Sequence, residues 1–509
     1  MDRRKFLYGT ASALGALGLD ALDSASAVAE NQPEATEDTE PKRRPNVLLI
    51  MSDQHRRNCM GAAGDPVAHT PNLDRLAGQS VRFTNAYCTN PVCAPSRASM
   101  LTGLYSHNLY THAGDQPYSP RRKTVAEHFS RAGYLSALIG KMHFVDAQVH
   151  GFQYHLEFNE WLQALGPRGL LYANETYYPN SGAGLPQIPS LWKTQGDPWA
   201  DTRKFDGRLG PVAVGRASEM AEADHFESFV ARESIHFLET YGKSDEPFFL
   251  VTSFLKPHDP FMPAVRFANM FREQDMSLPP SWGKANLQDL PEQVAQDIRT
   301  SHVTPELLHP QAARQRIASY YGNLAQADEC VGQVLDALTR LDLDRNTIVL
   351  YLSDHGEMLG DLGLWNKFQF YEGSCGVPLM VRIPGASPAV CETPVSLISL
   401  AATMAELCSV PLPGPSDGRS FAGLVSNPTS HEEYGPVFAE FDLGRPGEKY
   451  MIRDGDLKYS FWVHDRAELY DLKNDPQEMR NLAGRPEHQA TVKRLRERLF
   501  SWYRPPAVT

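Results

Sequence analysis

The sequence predicts an α/β fold: a large domain on a central sheet with helices on both faces, followed by a small domain of antiparallel strands closed by a terminal helix. Three observations lead there. Short apolar runs alternate with helical patterns over most of the chain, which is the arrangement of a sheet flanked by helices. Four of those runs end in clusters of polar, titratable residues, as strands do when an open sheet builds a site at their carboxyl ends. From about Gly435 the segments shorten and are separated by Gly, Asp and Asn, the pattern of antiparallel strands and turns.

The first run, Asn46 to Met51, is continuously apolar and reads as a buried parallel strand leading into Ser52, Asp53, Gln54 and His55. Tyr134 to Ile139 leads likewise into Gly140, Lys141, Met142 and His143. Pro247 to Phe254 leads into Lys256, Pro257, His258 and Asp259, and Thr347 to Leu352 into Ser353, Asp354, His355 and Gly356. Between them lie helical patterns over Asp224 to Glu239 and Ala312 to Leu341. The second carries Ile317, Tyr320, Tyr321, Leu324, Val331, Val334, Leu335 and Leu338 at helical spacing. Residues 150 to 223 are rich in Gly, Pro, Tyr and Trp without a clear period and read as loops over the site. There Trp161, Trp192, Trp199, Tyr177 and Tyr178 either stack on sugar rings or pack the loop, and the sequence favours neither. The C-terminal strands are Pro436 to Phe441, Glu448 to Arg453, Leu457 to Trp462 and Glu468 to Asp471, with a helix over Glu487 to Trp502.

The 509 residues, 42% hydrophobic, suffice for a large core. A formal charge of −12, with no basic run after residue 44, argues against a nucleic-acid partner. Seven cysteines in no C-x-x-C pattern exclude a disulfide scaffold and a zinc finger. Without Cys93, six remain, which permits disulfides. Residues 1–29 read as a signal: a basic start, an apolar stretch to about Leu22, and small residues around Ala25 to Ala29. Arg3 and Arg4 before Lys5, Phe6 and Leu7 resemble a twin-arginine signal, so the expected partner is that export machinery and the expected location periplasmic or extracellular. The apolar stretch is too short and Gly-rich for a stable membrane anchor. Residues 30–44 read as a flexible leader, 45–434 as the catalytic domain and 435–509 as the small C-terminal domain.

The strongest motif runs from Pro91 through Cys93, Ala94, Pro95, Ser96 and Arg97 to Thr102 and Gly103. It resembles the signature of the sulfatase family, in which the cysteine of C-x-P-S-R is oxidised to formylglycine. Gly133 and Tyr134 through Gly140, Lys141, Met142 and His143 resemble the family's second signature, and Glu468 to Leu482 resembles its closing segment. The likeness spans the chain from Asn46 onward. It implies an alkaline phosphatase-like fold, in which the large sheet is mixed and mostly parallel, and a formylglycine-generating enzyme as a partner.

The resemblance also implies roles. The formylglycine hydrate at residue 93 is the nucleophile, and re-forming its carbonyl expels sulfate. Asp53, Asp354, His355 and an oxygen of residue 93 hold a divalent metal, calcium, with magnesium or manganese as alternatives. Lys141 contacts sulfate, His143 is the base, and Arg97 offsets the gathered anions. Lys367, which follows Asp354 at the family's spacing, flanks the bridging oxygen together with His258, and the two are candidates to protonate the leaving alcohol. Many relatives carry two aspartates where this chain has Asp53 and Gln54, which leaves the ligation by Gln54 open. The expected substrate is a sulfated saccharide or small molecule. The rivals are a phosphonate monoester or phosphodiester hydrolase using the same site and a non-catalytic sulfate-binding protein.

Overall fold

The computed structural model describes residues 43–109, 123–143, 149–166, 168, 214–430 and 434–508. Residue runs that alternate or are wholly apolar become the strands of two sheets. The larger sheet holds β1 (Asn46–Asp53), β2 (Val81–Tyr87), β3 (Leu135–Gly140), β4 (Tyr154–Leu156), β5 (Phe248–Pro257), β6 (Thr347–Ser353), β7 (Gly376–Arg382), β8 (Ala389–Cys391) and β9 (Val395–Ser396). Its order is β4-β3-β5-β1-β6-β7-β2-β8, with β9 also paired to β2. All neighbouring pairs are parallel except β6 with β7 and β7 with β2. The sheet is therefore mixed and mostly parallel, as the family resemblance implied.

The central strands β1 and β6 are buried along their whole length, which is why they read as unbroken apolar runs. Their alternate residues feed two cores. Val47, Leu49 and Met51 join one face with Phe129, Phe249 and Leu350. Leu48 and Ile50 join the other with Phe237, Leu250 and Val331. Helices Phe226–Tyr241 and Pro310–Arg340 cover the second face. Both lie within two residues of the expected ranges. The 31-residue helix begins on Pro310, whose missing N–H costs nothing at that position.

The expectation of loops over residues 150 to 223 needs correction at its start. Strand β4 and helix Phe158–Leu165 occupy that stretch, and Trp161 is buried there with Nε1 donating to the Asp224 carbonyl. Trp161 thus packs the fold. Trp192, Trp199, Tyr177 and Tyr178 lie outside the described residues, as does the signal stretch. Strands β2 and β7 are further elements that the sequence reading did not name.

The second sheet is an antiparallel meander, β10 (Val437–Phe441), β11 (Lys449–Asp454), β12 (Leu457–Trp462) and β13 (Glu468–Asp471). Helix Gln489–Trp502 packs Leu495 and Leu499 onto it. The two sheets are tied by buried charge. Lys458 Nζ, 1% exposed, donates to the Phe370 carbonyl at 2.7 Å and pairs with Glu372 at 2.8 Å and Glu478 at 2.5 Å. Arg453 donates to the Tyr87 hydroxyl. All seven cysteines are free and buried, so the six beyond Cys93 form no disulfide.

Removing one partner of a buried ion cluster strands the others. Lys458→Met, which leaves Glu372 and Glu478 without their shared cation, is expected to lower unfolding free energy by about 3–5 kcal/mol, read from the shift in urea midpoint. Unchanged stability would show that the tie contributes nothing.

Candidate active site

Five segments of the chain meet at the carboxyl edge of the large sheet. Strand β1 ends on Asp53 and Gln54, β2 runs on to Cys93, β3 ends on Gly140 before Lys141, β5 ends at Pro257 before His258, and β6 ends before Asp354 and His355. Parallel direction puts the exits of β1, β3, β5 and β6 on one edge. The turns there are tight. Gly140 has φ +104, and a Cβ on it would lie 1.9 Å from the Ser253 carbonyl oxygen, so only glycine lets Lys141 leave β3 this close to β5. Gln54 and His143 leave their strands in the left-handed region, with φ 65 and 66.

Cys93 opens helix Cys93–Thr102, with Pro95 tolerated in the first turn. Its Sγ lies 3.1 Å from His355 Nε2, 3.5 Å from Asp53 Oδ1, 3.6 Å from Lys367 Nζ and 3.7 Å from Lys141 Nζ. Burial would raise the thiol pKa. Lys141, Lys367 and His355 outweigh burial and hold it well below the ordinary thiol value.

Around it, charges alternate. Arg97, 1% exposed, pairs through Nε with Asp354 Oδ2 at 2.7 Å and through Nη2 with Asp53 Oδ2 at 3.0 Å. Its Nη1 donates to the Lys141 carbonyl and, at 3.0 Å, to Ser253 Oγ. Lys141 Nζ pairs with Asp53 at 2.6 Å. Burial and Cys93 push the Asp53 carboxyl up, but the Lys141 ammonium and the Arg97 guanidinium paired with it pull harder and keep it ionised, far below the usual range. Lys367 Nζ is 2.7 Å from His258 Nε2. An ammonium can only donate, so Nε2 accepts and Nδ1 carries the proton that it gives to the Asp259 carbonyl at 2.6 Å.

The donor set fits a divalent cation. Asp53, Cys93, Asp354 and His355 each offer a ligand atom, and these atoms lie within 4.8 Å of one another. His355 Nδ1 sits 2.9 Å from the Gly356 carbonyl, so the neutral ring carries its proton there and offers a lone pair on Nε2 to a metal. Two carboxylates and an imidazole suit a hard or borderline ion. Gln54 is engaged otherwise, its Oε1 accepting from Lys367 at 2.7 Å.

All ten positions named from the sequence are thus described, and nine share direct contacts around Cys93, Asp53 and Lys367. His143 is half-buried beside them. Sequence reasoning missed three supports. Glu357 binds Gln54. Ser253 Oγ donates to the Lys141 carbonyl at 2.5 Å. Glu157 Oε1 accepts the Met142 N–H at 2.7 Å, between Lys141 and His143. Ser253 lies inside the run Pro247 to Phe254, and Glu357 directly follows the motif that ends on Gly356.

With this geometry in place, the comparisons are unambiguous about class. The sulfatase family profile matches residues 45–410, and one described as N-sulphoglucosamine sulphohydrolase, C-terminal, matches 360–504. The chain belongs to the sulfatase family and is a hydrolase of sulfuric esters. The choline-sulfatase of Rhizobium meliloti is 32% identical over 89% of this chain and 86% of its own length. The arylsulfatase of Clostridium perfringens is 29% identical over 90% and 94%. A phosphonate monoester hydrolase structure from Agrobacterium radiobacter shares the fold, with a TM-score of 0.74 and 24% identity over 90% of this chain and 95% of that one. The family implies a metal and a formylglycine at this site.

Glu157 supplies a pH test. Burial raises its carboxyl from 4.5 to about 7, against the Met142 N–H, Arg97 and Lys141. The folded state therefore holds a proton that the unfolded chain releases between about pH 4.5 and 7, and stability falls as pH rises through that window. Glu157→Gln abolishes this share. The stability difference, variant minus wild type, is expected to grow by up to about 3 kcal/mol from pH 5 to pH 7.5. A difference independent of pH would place the carboxyl in water.

Proposed function

We propose that this chain cleaves the sulfate monoester of a saccharide, with formylglycine at residue 93 as nucleophile and calcium as the metal. The observation that carries the reading is the convergence on Cys93 of cations and donors from separate strand exits. Formylglycine supplies a hydrated aldehyde, which provides both the attacking oxygen and its own release. Asp53, Asp354, His355 and residue 93 would hold the metal, which when bound would lower the cost of ionising that oxygen.

The remaining work falls to side chains of this protein. Arg97 and Lys141 together balance the charges of Asp53 and Asp354, and Lys367 adds a further cation, so the site accepts another anion without a net negative field. Lys141 and Lys367, each beside residue 93, bind sulfate oxygens. His143, beside Cys93 and with an Nδ1 that has no partner among the described residues, takes the proton whose removal lets sulfate leave. Lys367, held by His258 Nε2, delivers a proton to the bridging oxygen; that proton leaves as the alcohol O–H, and the lysine is reprotonated from solvent. Asp354 receives the proton of the attacking hydroxyl.

Location supports the saccharide. The basic, apolar and small-residue leader fits twin-arginine export, and an exported hydrolase meets extracellular polymers. No helix among the described residues is long and apolar enough to cross a membrane. Export of folded protein places oxidation of Cys93 by a formylglycine-generating enzyme in the cytoplasm.

Matured enzyme and Cys93→Ala are to be compared on an aryl sulfate, sulfated mono- and disaccharides, choline sulfate and an aryl phosphonate monoester. Saccharide sulfates should be cleaved best, and the variant should lose about 10⁴-fold or more in kcat/KM. Turnover of choline sulfate with none of any saccharide would reject the saccharide, and strong preference for the phosphonate would reject the sulfatase. Calcium should raise the unfolding temperature of wild type and raise that of Asp53→Asn far less. An equal rise in both would remove Asp53 from the metal site. The peptide bearing residue 93 should show the mass of an aldehyde or its hydrate.

A further inference from the structure

We infer that Glu357 is a positioning residue that dictates which end of the Gln54 amide faces the reacting centre, and through it aims Lys367. The inference rests on the hydrolase reading above but concerns residues to which that reading gives no role. Gln54 and Glu357 are both fully buried. Gln54 Nε2 donates to Glu357 Oε2 at 2.5 Å, and Gln54 Oε1 accepts from Lys367 Nζ at 2.7 Å. Each contact alone determines the amide orientation. An ionised carboxylate can only accept, so nitrogen must face Glu357, and an ammonium can only donate, so oxygen must face Lys367.

The carboxylate is itself held. Glu357 Oε1 accepts backbone N–H groups of Leu359 at 3.0 Å and Asn366 at 2.7 Å. Asn366 immediately precedes Lys367, so one carboxylate fixes both the backbone that carries the lysine and the amide on which its ammonium rests. Lys367 Nζ then reaches His258 Nε2 at 2.7 Å and Cys93 Sγ at 3.6 Å. Gln54 cannot swing away. Its backbone is set in the left-handed region at φ 65, its N–H donates to Asp354 Oδ1 at 3.2 Å, and its carbonyl accepts from the Tyr320 hydroxyl at 2.9 Å.

The pair also accounts for the Gln at this position. A carboxylate at 54 would meet Glu357 at hydrogen-bond distance with no proton between them, a buried like-charge contact. Gln54 and Glu357 are a matched donor and acceptor, and Lys367 reads the result.

The test exchanges the two groups. In Glu357→Gln, the two backbone N–H groups keep the new carbonyl oxygen at the Oε1 position, so the new NH2 faces that of Gln54. Gln54 must then turn over and present NH2 to the Lys367 ammonium. In Gln54→Glu, two carboxylates collide. In the double variant Q54E/E357Q, the amide introduced at position 357 donates to the carboxylate introduced at position 54, which in turn accepts from Lys367. Every partner is restored with total charge unchanged.

Expected in steady-state assays are losses in kcat/KM of about 10–100-fold for each single variant, expressed mainly in kcat because Lys367 is misaimed. The double variant should recover at least about tenfold over Gln54→Glu. If Glu357→Gln retains wild-type kcat/KM, or if the double variant is no better than Gln54→Glu, the inference is overturned. The second comparison stands even where Glu357→Gln does not fold. Wild type is measured alongside on an aryl sulfate and an aryl phosphonate monoester, and the variants on whichever it turns over. Failure of the sulfatase reading thus shows in the wild type, and failure of this inference shows in the ratios among variants.

Discussion

The site depends on one guanidinium. Asp53 and Asp354 arrive from different strands, β1 and β6, and both are fully buried, where two ionised carboxylates would repel and each would lose its hydration. Arg97 answers both with a planar fork, one donor nitrogen to each aspartate, and Lys could not do this with a point charge. The same group reaches the Lys141 carbonyl and Ser253 Oγ. Arg97 therefore couples the exits of β1, β3, β5 and β6 and keeps two anionic oxygens in place whether or not a cation lies between them.

Around that pairing the protein accepts local strain and desolvation. Gln54 and His143 leave their strands with left-handed backbones, and Gly140 permits an approach no other residue would. These costs are met by the packed strands behind them, whose central pair is wholly buried. The result is a rigid edge that projects cationic and donor side chains toward one sulfur. Catalysis of this kind draws its strength from groups already oriented before substrate arrives.

Much of this was legible in the sequence because parallel strands buried on both faces announce themselves as apolar runs, and their polar exits as motifs. Asp53, Lys141, His258 and Asp354 were placed at one edge on that ground alone. Strand β2, half-buried and mixed in composition, and β7, antiparallel and containing Pro378, carry weaker patterns and went unread. Strand β4 is only three residues long, too short for any period. The supports of the site were illegible for a different reason. Gln54 and Glu357 are 303 positions apart, and nothing in the spacing of either says that one donates to the other. Glu157 bonds a backbone N–H, a contact that leaves no mark on its partner's identity.

Cys93 is only 3% exposed and sits beneath the ring of charges just described. An enzyme that must grip the segment Cys93 to Arg97 can do so only before the strands close over it. On the proposed maturation, oxidation and folding would compete on a newborn chain. The fraction of active molecules would then be set by the ratio of two rates and locked in once folding is complete. Slower synthesis or a destabilised nascent sheet would raise the yield of matured protein, while a hyperstable variant that folds faster would carry more inert cysteine.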